Sequence, residues 1–196
     1  GSEQVTNGDF SQEGAEIADN NTISNAGGSI ITKTSALNYN ATSDGTGGSS
    51  IRPKLTFGGA TSGKSYVIRI TPTNQSGLIK FKLYDGSSYV IDNNNLSTYL
   101  EFYFKYDGAS TFLAFDGTNA FNVDFEISLK EVGQDWTIGT NWSLGDSKAI
   151  AGGSGGTISQ SGGTSSGKTY VLTYTVSDYA FGGVRARVGD TYGTTS

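Results

Sequence analysis

At 196 residues the chain has room for one large or two modest domains, and 29 Gly with 12% aromatic residues favour short strands joined by turns. Its net charge of −5 argues against nucleic acid and anionic membrane surfaces as partners, since both require a cationic footprint. The absence of Cys and His removes disulfides, thiolate metal sites and the usual general base near neutral pH.

In chain order, Gly28–Thr34, Ser35–Asn40 and Ser50–Phe57 read as short strands, interrupted by SDGTGGSS at Ser43–Ser50. Stronger strands are predicted at Tyr66–Thr71, Leu78–Tyr84, Tyr99–Tyr106, Thr111–Phe115 and Asn122–Val132. The Asp-Gly pairs of YDGSS, KYDG and FDGTN between them suit tight turns. Glu13–Gly28 has the look of an inserted loop in which AEIADN gives at most a short turn. DNNN at Asp92–Asn95 reads as a turn as well.

Successive strand residues point to opposite faces, so the sequence assigns an inside and an outside. Tyr66, Ile68 and Ile70 share one face; Ile79, Phe81 and Leu83 point inward, as do Leu100, Phe102 and Phe104, and Val123, Phe125, Ile127 and Leu129. Antiparallel strands with one dry and one wet face imply two packed sheets, an all-β sandwich.

The string SGKSYVIRI at Ser62–Ile70 returns as SGKTYVLTY at Ser166–Tyr174, and the KFKL of Lys80–Leu83 is echoed by RARV at Arg185–Val188. A period of about 100 residues is that of a domain rather than a solenoid unit. The reading is one complete module over 3–132 and the N-terminal half of a second over 133–196.

VTNGDF at Val5–Phe10, TSGKSYV at Thr61–Val67 and VDFEISLKEV at Val123–Val132 together resemble carbohydrate-binding modules of the jelly-roll, galactose-binding-like kind. DWTIGTNWSLGD at Asp135–Asp146 resembles the opening of a following tandem copy. The resemblance implies a non-catalytic, glycan-binding role in a phage tail fibre, another virion protein or a secreted polysaccharide-active assembly, hence an extracellular or virion location. It also implies a structural calcium ion held by oxygens at the two ends of the module, Asp9 and Asp124. Asn7-Gly8-Asp9 equally reads as a plain turn, and Asp124 as a solvated strand residue.

Sugar binding requires flat aromatic faces flanked by polar groups. The outward residues Arg69, Lys82, Tyr84, Tyr99, Glu101 and Tyr103 meet that need provided their strands are neighbours in one sheet. Trp136 and Trp142, six residues apart, share a side if their strand runs unbroken. The same tyrosines also serve cross-strand pairing, and either tryptophan also serves a core. Without His there is no Ser/His/Asp arrangement, and GGATSGKS at Gly58–Ser65 feeds a strand rather than the helix of a phosphate loop. An enzyme is not expected. The alternative to glycan binding is a structural spacer of a fibre without ligand.

The second copy lacks counterparts of Leu100–Phe104 and Val123–Leu129. Its apolar positions Tyr170, Leu172, Tyr174, Val184, Ala186 and Val188 are therefore expected to face water unless they pair elsewhere. Self-association through the incomplete second module is one such pairing.

Overall fold

The computed structural model describes residues 1–47, 52–189 and 191–192. Two antiparallel sheets built from residues 13–132 lie face to face. In the larger sheet the order is β3 (Ser29–Lys33), β4 (Asn38–Asp44), β11 (Ala120–Val132), β6 (Ser65–Gly77) and β9 (Leu100–Lys105), with β1 (Glu13–Glu16) also paired to β11. In the smaller it is β2 (Asn21–Ser24), β5 (Lys54–Phe57), β10 (Thr111–Phe115), β7 (Lys80–Tyr84) and β8 (Tyr89–Asn95). The chain passes from one sheet to the other repeatedly, the winding of a jelly-roll sandwich. No helix among the described residues is long and apolar enough to cross a membrane.

The expected alternation places the core. Val123, Phe125, Ile127 and Leu129 of β11 are buried against Tyr66, Ile68 and Ile70 of β6. Ile79, Phe81, Leu83, Leu113 and Phe115 meet them from the opposite sheet. Phe104 is buried with them, while Leu100 and Phe102 pack against the cluster from its margin.

Several elements depart from the sequence reading, each for a local reason. The stretch read as an insertion, Glu13–Gly28, carries β1 and β2. Glu16 accepts the Leu129 amide and the Ser128 hydroxyl, and Ile23 packs against the core, so both ends of the stretch are tied down. The stretch Asp92–Asn95 belongs to β8 rather than a turn, held between buried Ile91 and buried Leu96. The interruption expected from Ser43 begins later, because β4 continues to Asp44; the rest of that segment, 48–51, lies outside the described residues. β6 runs on through Pro72 to Gly77. Its pairing with β9 ends at Ile70, so Pro72 sits where the strand has become an edge and its missing N–H costs no ladder bond.

Beyond Val132 the chain folds back onto the outer face of the larger sheet. β13 (Trp142–Gly145) and β14 (Lys148–Ala151) form a hairpin. Leu144 of that hairpin joins Val67 and Val132 in a second apolar cluster, bordered by Phe10, Tyr103 and Ile138. β12 (Thr137–Ile138) pairs with β15 (Ile158–Ser159). Residues 160–186 form no strand, and β16 (Arg187–Val188) pairs with β17 (Thr191–Tyr192). Leu172 and Tyr174 face water as expected, whereas Tyr170, Val184, Ala186 and Val188 are partly covered. Asp190, which stands two residues after RARV as Asp85 stands two residues after KFKL, lies outside the described residues.

Candidate functional site

The six aromatic and charged residues singled out as one sugar-binding set do not share a sheet. Arg69 is on β6 and Tyr99, Glu101 and Tyr103 are on or beside β9, in the larger sheet. Lys82 and Tyr84 are on β7, in the smaller. The condition for one shared site is unmet, and they divide between the two outer faces of the sandwich.

On the larger sheet the polar groups are spent on one another. Arg69 donates through Nε to Glu101 at 2.7 Å and through Nη2 to Glu13 at 2.5 Å. Tyr99 and Tyr103 donate their hydroxyls to Glu101 at 2.9 and 3.1 Å, and Lys130 donates to Glu13 at 3.1 Å. Hydrogen bonds from Arg69 hold both carboxyls below the ordinary carboxylate range, against the opposing effect of burial. Burial, then the neighbouring Glu101 carboxylate, raises the phenols of Tyr99 and Tyr103. The ring of Tyr103 lies against Gly145 of the β13–β14 hairpin, so part of its stacking surface is taken. This face is a closed network that ties β1, β11, β6 and β9 together.

Asp9 and Asp124 lie at different places in the fold. Asp9 accepts the Ser11 amide at 3.2 Å and hydroxyl at 2.9 Å, a local turn next to Phe10, which packs near Val132. Asp124 is eight residues back along β11, about 26 Å of extended strand. Its two oxygens accept from Asn40 at 2.7 Å and Asn74 at 3.1 Å. Those bonds lower its pKa and staple β4, β11 and β6 where the register shifts between Asn122 and Asp124. The two aspartates therefore do not meet at one ion. Among the described residues no group of three or more acidic side chains is placed to hold a metal.

The tryptophans also separate. β12 ends at Ile138, a turn intervenes, and Trp142 begins β13, so the strand that was to align them is broken. Trp136 donates its indole N–H to the Asn7 carbonyl at 3.0 Å and tilts against Phe10, ring centroids 5.1 Å apart. It anchors the N-terminal turn. Trp142 pairs with Ala151 in the hairpin and is half-buried.

The outer face of the smaller sheet differs in kind. Phe112 of β10 lies opposite Tyr84 of β7 and Thr56 of β5, and Tyr84 lies opposite Tyr89 of β8. The rings form a triangle: Tyr84 stacks on Phe112 with centroids 4.9 Å apart, and Tyr89 stands edge-on to both, at 5.4 and 6.3 Å. Tyr89 is 42% exposed. One row along, Ala114 lies between Lys54 and Lys82. Lys54 Nζ sits 4.6 Å from the centre of the Phe112 ring, and Lys82 Nζ 5.0 Å from that of Tyr89 while paired with Asp92. A further row brings Asp116 beside Arg52 and Lys80. Burial pushes the Asp116 carboxyl up, but hydrogen bonds from Thr118 and the charges of Arg52 and Lys82 outweigh it, and the pKa is lowered. Here an aromatic shelf, exposed at Tyr89 and half-buried at Tyr84 and Phe112, is bordered by cations.

Sequence reasoning finds Lys82 and Tyr84 but misses Lys54, Tyr89 and Phe112. Phe112 is within its reach: in TFLAF, buried Leu113 and Phe115 leave it on the outer face. Tyr89 is hidden because the polar run that ends β8 reads as a turn.

No family model matches the sequence, and no curated protein matches it. The solved structures it resembles include the CBM22-1 xylan-binding domain from Paenibacillus barcinonensis, at 14% identity and a TM-score of 0.39 over 62% of this chain and 97% of that one. They also include a structure described as CBM4, at 18% identity and a TM-score of 0.36 over 64% and 98%. A third is a carbohydrate-binding module from Cellvibrio mixtus lichenase 5A in complex with cellotriose, at 17% identity and a TM-score of 0.29 over 61% and 98%.

Proposed function

We propose that this chain is a non-catalytic carbohydrate-binding module that holds a polysaccharide on the outer face of its smaller sheet, in a secreted or virion-borne assembly. The observation that carries the reading is the Tyr84–Tyr89–Phe112 triangle with Lys54 and Lys82 at its border. Pyranose rings present C–H faces that pack on aromatic rings, and their hydroxyls accept from ammonium groups set alongside. The larger sheet offers Tyr99 as an open ring, and Arg69, Lys130, Glu13 and Glu101 around it are already partnered with one another. Affinity electrophoresis through gels containing soluble polysaccharides tests the reading. Retention by at least one polysaccharide, lost in Tyr89→Ala and kept in Tyr99→Ala, supports it. Migration unchanged in every gel overturns it.

A specific observation also favours a second role for the remainder of the chain. Val171, Leu172, Tyr174, Val176, Tyr179 and Phe181 are all exposed, in the stretch that repeats the sequence around β6. We infer that this stretch pairs with a second copy of the chain, as a fibre spacer would require. Light scattering over a range of concentrations measures this; a monomer throughout contradicts it.

A further inference from the structure

The charge on the binding face runs against the charge of the molecule. The chain has 13 Lys and Arg against 18 Asp and Glu. Yet Arg52, Lys54, Lys80 and Lys82 alternate outward along β7 and along β5 with the residues preceding it, flanking β10. The acidic groups among them are Asp92 and Asp116. Four cations thus face two carboxylates on a surface that also carries the aromatic shelf. The opposite outer face balances its cations differently, with Arg69 and Lys130 engaged by Glu13 and Glu101. A neutral glycan needs the rings and a few hydroxyl partners but has no use for the surplus positive charge.

We propose that the polysaccharide held here is anionic, built of uronic-acid residues whose ring carboxylates are met by Lys54, Lys80, Lys82 and Arg52. This deepens the carbohydrate-binding reading and rests on it. Three features give the cations a ligand role. The Lys82 side chain is only 9% exposed, while its partner Asp92 is 57% exposed and free to give way to an incoming carboxylate. Arg52 Nε is buried with no hydrogen-bond partner among the described residues, so the guanidinium beside Asp116 keeps unmet donor capacity. Its planar guanidinium also suits two-point contact with a carboxylate. Finally, the lysine row reaches back to the aromatic row, with Lys54 Nζ 4.6 Å from the centre of the Phe112 ring and Lys82 Nζ 5.0 Å from that of Tyr89. A sugar stacked on Tyr84 and Tyr89 therefore brings a carboxylate borne on its own ring to Lys54 and Lys82. Charge complementarity selects the ligand, and stacking positions it.

The test is affinity electrophoresis and titration calorimetry with polygalacturonate, its methyl ester, dextran sulfate, a neutral xylan, a neutral glucan and duplex DNA. Expected is retention by polygalacturonate that weakens with salt, is lost on methyl esterification, and falls about tenfold or more in the Lys54→Gln/Lys80→Gln double variant. Tyr89→Ala loses it too. Thermal melting of the double variant at the wild-type temperature shows that the loss is one of binding rather than folding. Equal retention by neutral xylan or glucan, unaffected by the double variant, overturns the proposal and leaves the carbohydrate-binding reading standing. Retention by dextran sulfate or DNA without polygalacturonate overturns the assignment of the carboxylate. No retention by any polysaccharide overturns both readings.

Discussion

The phenol oxygen of Tyr66 accepts a hydrogen bond from the backbone N–H of Thr61 at 2.8 Å, closing the turn that launches β6. In the second copy Tyr170 accepts from the Ser165 N–H at the same distance. Gly63 and Gly167 take the left-handed conformation in these turns, with φ of +85° and +77°. The Lys64 and Lys168 amides close onto the Thr61 and Ser165 carbonyls. The repeated SGK-Ser/Thr-Tyr string thus encodes a self-contained turn with a tyrosine lock. The chain after each lock has a different fate: Val67–Ile70 are built into a sheet, whereas Val171–Tyr174 are left unpaired.

The two locks have different energetic weight. Tyr66 is buried, and removing its hydroxyl leaves the Thr61 N–H without that partner. Tyr66→Phe is expected to lower unfolding stability by about 1 kcal/mol. Tyr170→Phe, in a turn exposed to water, is expected to leave it unchanged. Urea unfolding of the two variants checks the contrast.

The docking of the hairpin depends on Gly133. This residue has φ of +67°, and a Cβ there would lie 2.1 Å from Leu144 Cδ1. Gly133→Ala is expected to free the hairpin and loosen Trp136 from Phe10, shifting tryptophan emission to the red. Leu144→Ala removes the clash but also the buried side chain that seats the hairpin on Val67 and Val132, so the double variant is not expected to recover the docking. A Gly133→Ala variant with wild-type emission and melting would contradict this dependence.

The sequence carried the sandwich because alternation is a local signal, strong wherever aromatic and branched residues face a dry core. That holds for YVIRI, FKLY and VDFEISL. It failed where strands are polar: β1, β2 and β8 are held by Glu13, Glu16, Ile23, Ile91 and Leu96 acting on distant strands, and such pairing leaves little pattern of its own. The candidate site was half legible for a related reason. Face assignment named Lys82 and Tyr84, but only sheet order tells whether an outward residue meets Tyr99 or Phe112. Sheet order depends on crossings that alternation does not encode.

Acid should weaken the larger sheet's outer network. Arg69 bonds to Glu13 and Glu101 favour their ionised forms, so both carboxyls have folded pKa values below their ordinary 4.5. A depressed carboxyl contributes stability above its unfolded pKa and loses that contribution as pH falls through the lower folded value. Melting temperature is therefore expected to drop between about pH 5 and about pH 3, and to drop less steeply in Arg69→Gln. High salt should flatten the difference, because these groups are partly exposed. Parallel acid branches for the two proteins would show that Arg69 does not set them.

The exposed stretch between Tyr170 and Phe181 makes the last prediction. Its backbone belongs to no strand, and Val171, Tyr179 and Phe181 are 92%, 65% and 82% exposed. Segments without sheet pairing open at a cost near zero, whereas cutting inside the sandwich requires much or all of the global unfolding energy. Chymotrypsin is therefore expected to cut after Tyr174, Tyr179 or Phe181 well before it cuts at Tyr66, Tyr84 or Phe104. The larger product should retain the core and the Trp136–Phe10 contact, visible as unchanged tryptophan emission. If the stretch pairs between copies of the chain, the rate of these first cuts falls as protein concentration rises, because the paired form shields the backbone. A rate independent of concentration, with scattering that reports a monomer, excludes the pairing while leaving the early cuts in place. Early cuts within the sandwich instead would contradict the division between a packed first two-thirds and an open tail.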